Sequence, residues 1–191
     1  MSALLELDPK ETALVLIDLQ QGILGMSVAP HTAANVLARG VTLAGAFRKI
    51  GAPVVLVRVS FDPSGVDALK QPIDATMNVN RPAGWDQLSP ALGDDTRDIR
   101  ITKHQWGAFY GTELDLQLRR RGIKTIVIAG ISTNFGVEST ARDAFERSYA
   151  LVFVEDAMAG PTAEAHQFAI TTIFPRLGRV RSTQVVLDAL S

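Results

Sequence analysis

Three places in this chain carry residues whose type and setting could do chemistry. Asp18 lies in the run LVLIDLQ, a carboxylate at the end of an otherwise apolar stretch. Such a group serves as an acid or base when burial or a neighbouring charge tunes it, and otherwise caps the following turn. Lys103, in IRITKHQWGAF, places an ammonium directly after a second short stretch; taken alone it reads rather as a solvated loop lysine. The third place is GISTNFG, Gly130 to Gly136. A strand-to-helix turn of this kind converges backbone N–H groups at a helix N-terminus, which suits an anion or an oxyanion, although a plain tight turn has the same composition. It contains neither the GKS/T of a Walker A loop nor a GxGxxG dinucleotide fingerprint.

The residues that are missing narrow the chemistry further. The chain has no cysteine, which excludes a disulfide scaffold, a thiolate zinc site, an iron–sulfur cluster and a cysteine nucleophile. His31, His104 and His166 are widely separated and match no HExxH or other metal spacing, so no metal or other cofactor is expected. Ser132, Thr133 and Ser139 are hydroxyls with no evident histidine partner, and hydroxyls are weak nucleophiles without a base. Trp106 and Phe109 follow Lys103 closely and are candidates to line a pocket; core or subunit packing is the competing reading. His104 reads as a surface loop histidine. Arg119 to Arg121 with Lys124 read as cations that complement a helix C-terminus rather than as a nucleic-acid patch.

These candidates need a scaffold that brings strand ends together. Apolar runs without two-residue alternation occur at Thr12 to Leu19, Pro53 to Val59, Thr125 to Ala129 and Ala150 to Glu155, as in strands buried on both faces of a parallel sheet. Short strands at Ile99 to Thr102 and Arg179 to Arg181 complete a set of six. Helical spacing predicts helices at Thr32 to Ile50, Thr112 to Arg121, Gly136 to Arg147, Ala163 to Ile173 and Thr183 to Leu190. A Thr112/Asp115 capping box would start the second of these, and Pro175 would end the fourth. Strands alternating with helices imply an α/β fold, a doubly wound, mostly parallel six-stranded sheet with helices on both faces. Ligands in such sheets bind beyond the carboxyl ends of the strands, near the switch in strand order. Ser60 to Asp98 is too long for an ordinary connection and reads as a functional flap or an interface arm.

Composition agrees with one domain over residues 1–191. The chain is 47% hydrophobic, with 19 Lys+Arg against 20 Asp+Glu and a formal net charge of −1. That balance gives no attraction to phosphate backbones or anionic lipid, so neither nucleic acid nor membrane is expected as a partner. Met1 to Lys10 lacks the basic and apolar regions of a secretory signal, which makes the cytoplasm the expected location.

Together the three places resemble the isochorismatase-like hydrolase superfamily, along ALVLIDLQ, KHQWGAFYGTELDLQLRRRGIKTIVIAGISTN and VESTARDAFERSYALVFVEDA. The resemblance implies that Asp18 and Lys103 are the acid/base pair and that the amides of Ser132 and Gly136 form an oxyanion hole, with Thr133 between them. It also implies a cis peptide between Ile131 and Ser132, and a homo-oligomer. Gly136 stands where most members carry the nucleophilic cysteine. Amidohydrolase chemistry through a thioester is then unavailable, whereas the family's true isochorismatases also have glycine there and hydrolyse an enol ether by protonating its vinyl carbon and adding water. This chain has Ser132 at the position of their substrate-contacting Tyr and lacks their Arg motif after strand two, so isochorismate itself is not the expected substrate. The histidines that bind metal in nicotinamidases have no counterpart after Val59.

A physical contest remains at Asp18. A lysine beside it would hold the carboxyl ionised, whereas a general acid needs its proton, which burial by bound substrate would favour through desolvation. The reading that follows is a cysteine-independent hydrolase of a small polar, anionic metabolite. The alternative is a catalytically silent small-molecule-binding or assembly protein that keeps the pocket.

Overall fold

The six strands are β1 (Thr12–Ile17), β2 (Val54–Val59), β3 (Ile99–Lys103), β4 (Thr125–Ile131), β5 (Ala150–Ala159) and β6 (Arg179–Arg181), of which β1, β2, β4 and β5 fall on the continuous apolar runs. The computed structural model describes residues 5–75 and 81–190. The strands form one sheet in the order β3-β2-β1-β4-β5-β6, and every strand pair is parallel. The helices are α1 (Gln21–Leu24), α2 (Ala33–Lys49), α3 (Leu114–Arg120), α4 (Glu138–Glu146), α5 (Ala163–Phe168), α6 (Phe174–Leu177) and α7 (Thr183–Asp188). Among the described residues no helix is long and apolar enough to cross a membrane.

The continuous apolar runs are explained by a core on each face of the sheet. All six residues of β1 are buried, and they divide by alternation. Ala13, Val15 and Ile17 join the cluster containing Leu114, Leu118, Ala141, Ala144 and Phe174. Leu14 and Leu16 join the cluster of Val36, Leu43, Phe47 and Val186 on the other face. Each large side chain enclosed in this way contributes roughly 1.5–3 kcal/mol relative to exposure. The chain moves outward from β1 through β2 to β3, then returns to the other side of β1 with β4. Strand order therefore reverses between β1 and β4, where their carboxyl ends diverge and leave room for a site.

Several boundaries differ from the sequence expectation for identifiable reasons. Helix α2 is N-capped by Thr32, whose hydroxyl accepts from Asn35 N at 3.2 Å. The expected capping box at Thr112 does not form. Thr112 Oγ1 accepts from Leu114 N at 3.1 Å, and Asp115 Oδ1 is occupied by the Tyr149 hydroxyl at 2.8 Å. Pro175 does not end the helix that begins at Ala163. A π-helical turn, Ala169–Ile173, carries the chain into α6, so the chain stays helical through a proline that has no N–H to donate. Strand β5 continues past Glu155 because the register with β4 shifts between Ile128 and Gly130, a bulge that admits two acidic residues without ending the strand.

Within the described residues of the 60–98 segment the regular structure is a short 3-10 turn, Pro90–Leu92; residues 76–80 lie outside the described residues. The segment's latter part lies along the exit of β1. Gly22 N donates to Trp85 O at 2.7 Å, Gln21 N to Gln87 O at 2.9 Å, and Ser89 N to Leu19 O at 2.9 Å. Trp85 stacks on Phe61 with ring centroids 6.0 Å apart, and the Arg81 guanidinium lies 4.5 Å from the Phe61 ring centroid.

Candidate active site

Strand β1 is apolar to Ile17 and then leaves the sheet at Asp18, whose φ of 55° lies in the left-handed region that Asp tolerates better than most residues. Gln20, fully buried, holds this departure in place. Its side-chain amide imitates a neighbouring strand: Nε2 donates to Val59 O at 3.0 Å and Oε1 accepts from Val59 N at 2.9 Å. Sequence reasoning passed over Gln20. The available signal was a second polar residue in the otherwise apolar run that holds Asp18.

Lys103 enters from the far side of β2. Along β3, Ile99, Ile101 and Lys103 are buried while Arg100 and Thr102 are exposed, so strict two-residue alternation turns the lysine inward with the isoleucines. Its Nζ donates to Asp18 Oδ2 at 2.8 Å and to Trp106 O at 2.7 Å. Asp18 is 5% exposed and Lys103 only 1%. Burial pushes the Asp18 carboxyl up to about 6, outweighing the charge and hydrogen bond of Lys103, which pull it down. Desolvation therefore decides the contest between burial and lysine. Asp18 Oδ1 has no hydrogen-bond partner among the described residues, and neither does the buried Ser132 Oγ.

The GISTNFG turn reaches this pair because of Gly130. It sits opposite Ile17 in the β1–β4 register, with φ 125° and a position where a Cβ would stand 2.1 Å from Ile17 O. Only glycine allows that approach. The Ile131–Ser132 peptide is cis. A π-helical turn, Thr133–Val137, follows and runs directly into α4, so the helix after β4 starts at Thr133 rather than at Gly136. A Cβ at Gly136 would lie 2.9 Å from Ile17 Cγ2, 3.1 Å from Asp18 Oδ2 and 3.3 Å from Lys103 Nζ. Position 136 therefore faces the carboxylate–ammonium pair, and the Ile17 methyl occupies part of the space a side chain would need.

Asp18, Lys103 and Gly136 are brought together, and Ser132 heads the turn that carries Gly136; the remaining candidates divide. Trp106 is 51% exposed, and its ring lies 4.9 Å from that of Phe135. This aromatic pair flanks the site, since Trp106 supplies the carbonyl held by Lys103 and Phe135 precedes Gly136. Phe109 does not line the site. It is buried in the core, 5.9 Å from the Tyr149 ring and beneath the Arg147 guanidinium, because the turn after Lys103 directs it between the sheet and the outer helices. Thr133 is fully buried and turns to histidine: Oγ1 lies 2.9 Å from His166 Nδ1. The expectation that these hydroxyls lack a histidine is thus corrected for Thr133, the partner being supplied from α5. Burial and His31 lower the His166 pKa to about 4, which keeps the ring neutral.

The histidines, far apart in sequence, are not all apart in space. Ligand atoms of His31, Glu155 and His166 all lie within 4.8 Å of one another, while His104 stands elsewhere, with Nδ1 2.6 Å from Ser60 O and 3.3 Å from Asp67 Oδ2.

With this geometry in view, comparison with known proteins is direct. The isochorismatase domain profile matches residues 12–185. An uncharacterized isochorismatase family protein, YecD of Escherichia coli O157:H7, is 54% identical over 188 residues, covering 98% of this chain and 100% of its own. A second, YwoC of Bacillus subtilis (strain 168), is 44% identical over 187 residues, covering 96% of each chain. A solved isochorismatase family structure from Burkholderia thailandensis superimposes with a TM-score of 0.92 at 47% identity, covering 97% of both chains. Strand-end carboxylate, inward lysine, glycine-enabled turn and matching relatives agree: the chain belongs to the isochorismatase family of hydrolases.

Proposed function

We propose that this hydrolase acts on a small polar, anionic metabolite without a cysteine nucleophile, by proton transfer from Asp18. The observation that carries the reading is the state of that carboxyl group. It is enclosed, raised to about 6, bonded through one oxygen to Lys103 and unpartnered at the other. A group poised near the working pH can both give and take a proton, and Oδ1 makes no side-chain hydrogen bond that a substrate would first have to break. Gly136 brings no side chain to the pair, which supports water rather than an enzyme thiolate as the attacking group.

In this reading Asp18 delivers its proton to the vinyl carbon of an enol-ether-like substrate, forming a C–H bond and leaving an oxocarbenium ion. Water adds to that cation, its surplus proton returns to Asp18, and the hemiketal collapses to a carbonyl compound and an alcohol. Lys103 orients the carboxyl group and offsets negative charge on the substrate. The backbone N–H groups of Ser132 and Gly136 bind a carboxylate or developing oxyanion, with Ser132 Oγ available as a further partner. Trp106 borders the substrate, and Thr133 positions the turn through His166. We place the enzyme in the cytoplasm as a homo-oligomer, a dimer or tetramer.

Incubation with a metabolite mixture followed by mass spectrometry tests this. Depletion of a compound by the wild-type protein but not by Asp18→Asn is the expected result. Binding without turnover would instead identify a silent small-molecule-binding protein, and equal turnover by the variant would remove Asp18 from the mechanism.

A further inference from the structure

Three segments distant in sequence meet at one end of the sheet beside the β4 turn, and each contributes a side chain that binds metals. His31 precedes the N-cap of α2, in a loop fixed by reciprocal hydrogen bonds between Ala29 and Gly160 at 2.9 and 2.8 Å. Glu155 projects from the β5 bulge. Its neighbour Asp156 takes the compensating groups, receiving Arg39 at 3.3 Å and the Thr183 N–H and hydroxyl at 2.7 and 2.8 Å. Glu155 itself has no hydrogen bond or ion pair among the described residues, and neither does the His31 side chain. His166 is 2% exposed, and its ring stands edge-on to His31 at 5.9 Å between centroids.

We propose that His31, Glu155 and His166 bind a first-row divalent cation, of the zinc, cobalt or nickel kind, which ties the loop before α2, the β5 bulge and α5 together. The three ligand atoms lie within 4.8 Å of one another, so small side-chain adjustments converge them on a single ion. Two imidazoles and one carboxylate form a borderline ligand set that suits zinc, cobalt and nickel, whereas magnesium and calcium favour oxygen throughout. The supporting contact is also present: Thr133 Oγ1 engages His166 Nδ1, the kind of outer hydrogen bond that fixes the tautomer and orientation of a ligating ring. His31 and Glu155 are only partly buried, which leaves an entry route and an open position for water. Because Thr133 lies in the turn between Ser132 and Gly136, the ion would brace the segment that carries their amides. The site is separate from the Asp18–Lys103 pair and does not depend on the proposed reaction.

The composition makes the test clean, since no cysteine competes and His104 is the one other histidine. Untagged full-length protein, stripped with a chelator, is titrated with Co2+ and followed by visible absorption, then challenged with Zn2+ and with Mg2+ in equilibrium dialysis. One equivalent of Co2+ should bind, with Zn2+ displacing it and Mg2+ not. His31→Ala and Glu155→Gln should each weaken binding about 10-fold or more, and Thr133→Val about 10-fold, by the usual cost of losing an outer contact. His104→Ala should leave binding unchanged. Zn2+ should raise the thermal midpoint of the wild type but not of the first two variants, whose partly exposed positions allow folding to be checked by circular dichroism. Absence of stoichiometric binding by the wild type would overturn the site, as would unchanged affinity in His31→Ala or equal loss in His104→Ala.

Discussion

At the scale of single residues, the chemistry turns on one carboxyl group whose environment is set by burial more than by its neighbour. If Asp18 donates its proton in the reaction, kcat/KM falls as pH rises through about 6, roughly tenfold for each further unit. A pH–rate profile measures this, and a rate that instead climbs through that range would assign Asp18 as a base. Lys103 offers an independent test through stability. Replacing it by Met leaves Asp18 enclosed without its cation, and breaking a buried pair costs about 3–5 kcal/mol. The carboxyl group escapes part of that cost by staying protonated. With its folded-state pKa above the unfolded value of about 3.9, the folded protein binds more protons, so stability is retained at low pH and lost as pH rises through the raised folded value. Urea midpoints should therefore show a larger deficit for Lys103→Met at about pH 8 than at about pH 5; a deficit independent of pH would mean that Asp18 does not titrate in this way.

At the scale of elements, the site depends on how closely β4 approaches β1. Gly130→Ala would drive a Cβ to 2.1 Å from Ile17 O at a φ of 125°. We expect a loss of about 4 kcal/mol or more, in the range reserved for severe backbone conflicts. Gly45→Ala is the control. Gly45 lies in the exposed face of α2 with nothing within 4 Å of its Cβ position, and there alanine should stabilise by about 0.5–1 kcal/mol. Denaturant midpoints of the two variants should move in opposite directions. Gly136 belongs with Gly130 rather than with Gly45, since a Cβ there meets Ile17 Cγ2 at 2.9 Å. A cysteine placed at 136 would have to displace that methyl before it could respond to Lys103.

At the scale of the whole molecule, Trp106 and Phe135 are large side chains left 51% and 40% exposed beside the site, and Tyr110, four residues after Trp106, is 77% exposed. Aromatic surface of this kind is enriched at protein interfaces, in line with the proposed homo-oligomer. Light scattering at micromolar concentration should give a mass at least twice that of the 20.6 kDa chain. A monomeric mass would mean that these rings face solvent or substrate rather than a second copy.

By itself the sequence determined the parallel sheet, because burial on both faces imposes the uninterrupted apolar runs of β1, β2, β4 and β5; β3 alternates instead and β6 is three half-buried residues. Lys103, which reads from sequence as following a strand over Ile99 to Thr102, is in fact the last residue of β3, and the alternation with Ile99 and Ile101 turns it inward. The sequence could not place Phe109, whose distance from Lys103 along the chain suited a pocket equally well, until packing against Tyr149 and Arg147 put it in the core. Nor could it join His31, Glu155 and His166, or give Thr133 its histidine, because those contacts depend on where the β5 bulge and α5 come to lie against the loop before α2. The protonation of Asp18 belongs to the same class: composition supplies the carboxylate and the lysine, but only the closed packing around them makes desolvation the stronger influence.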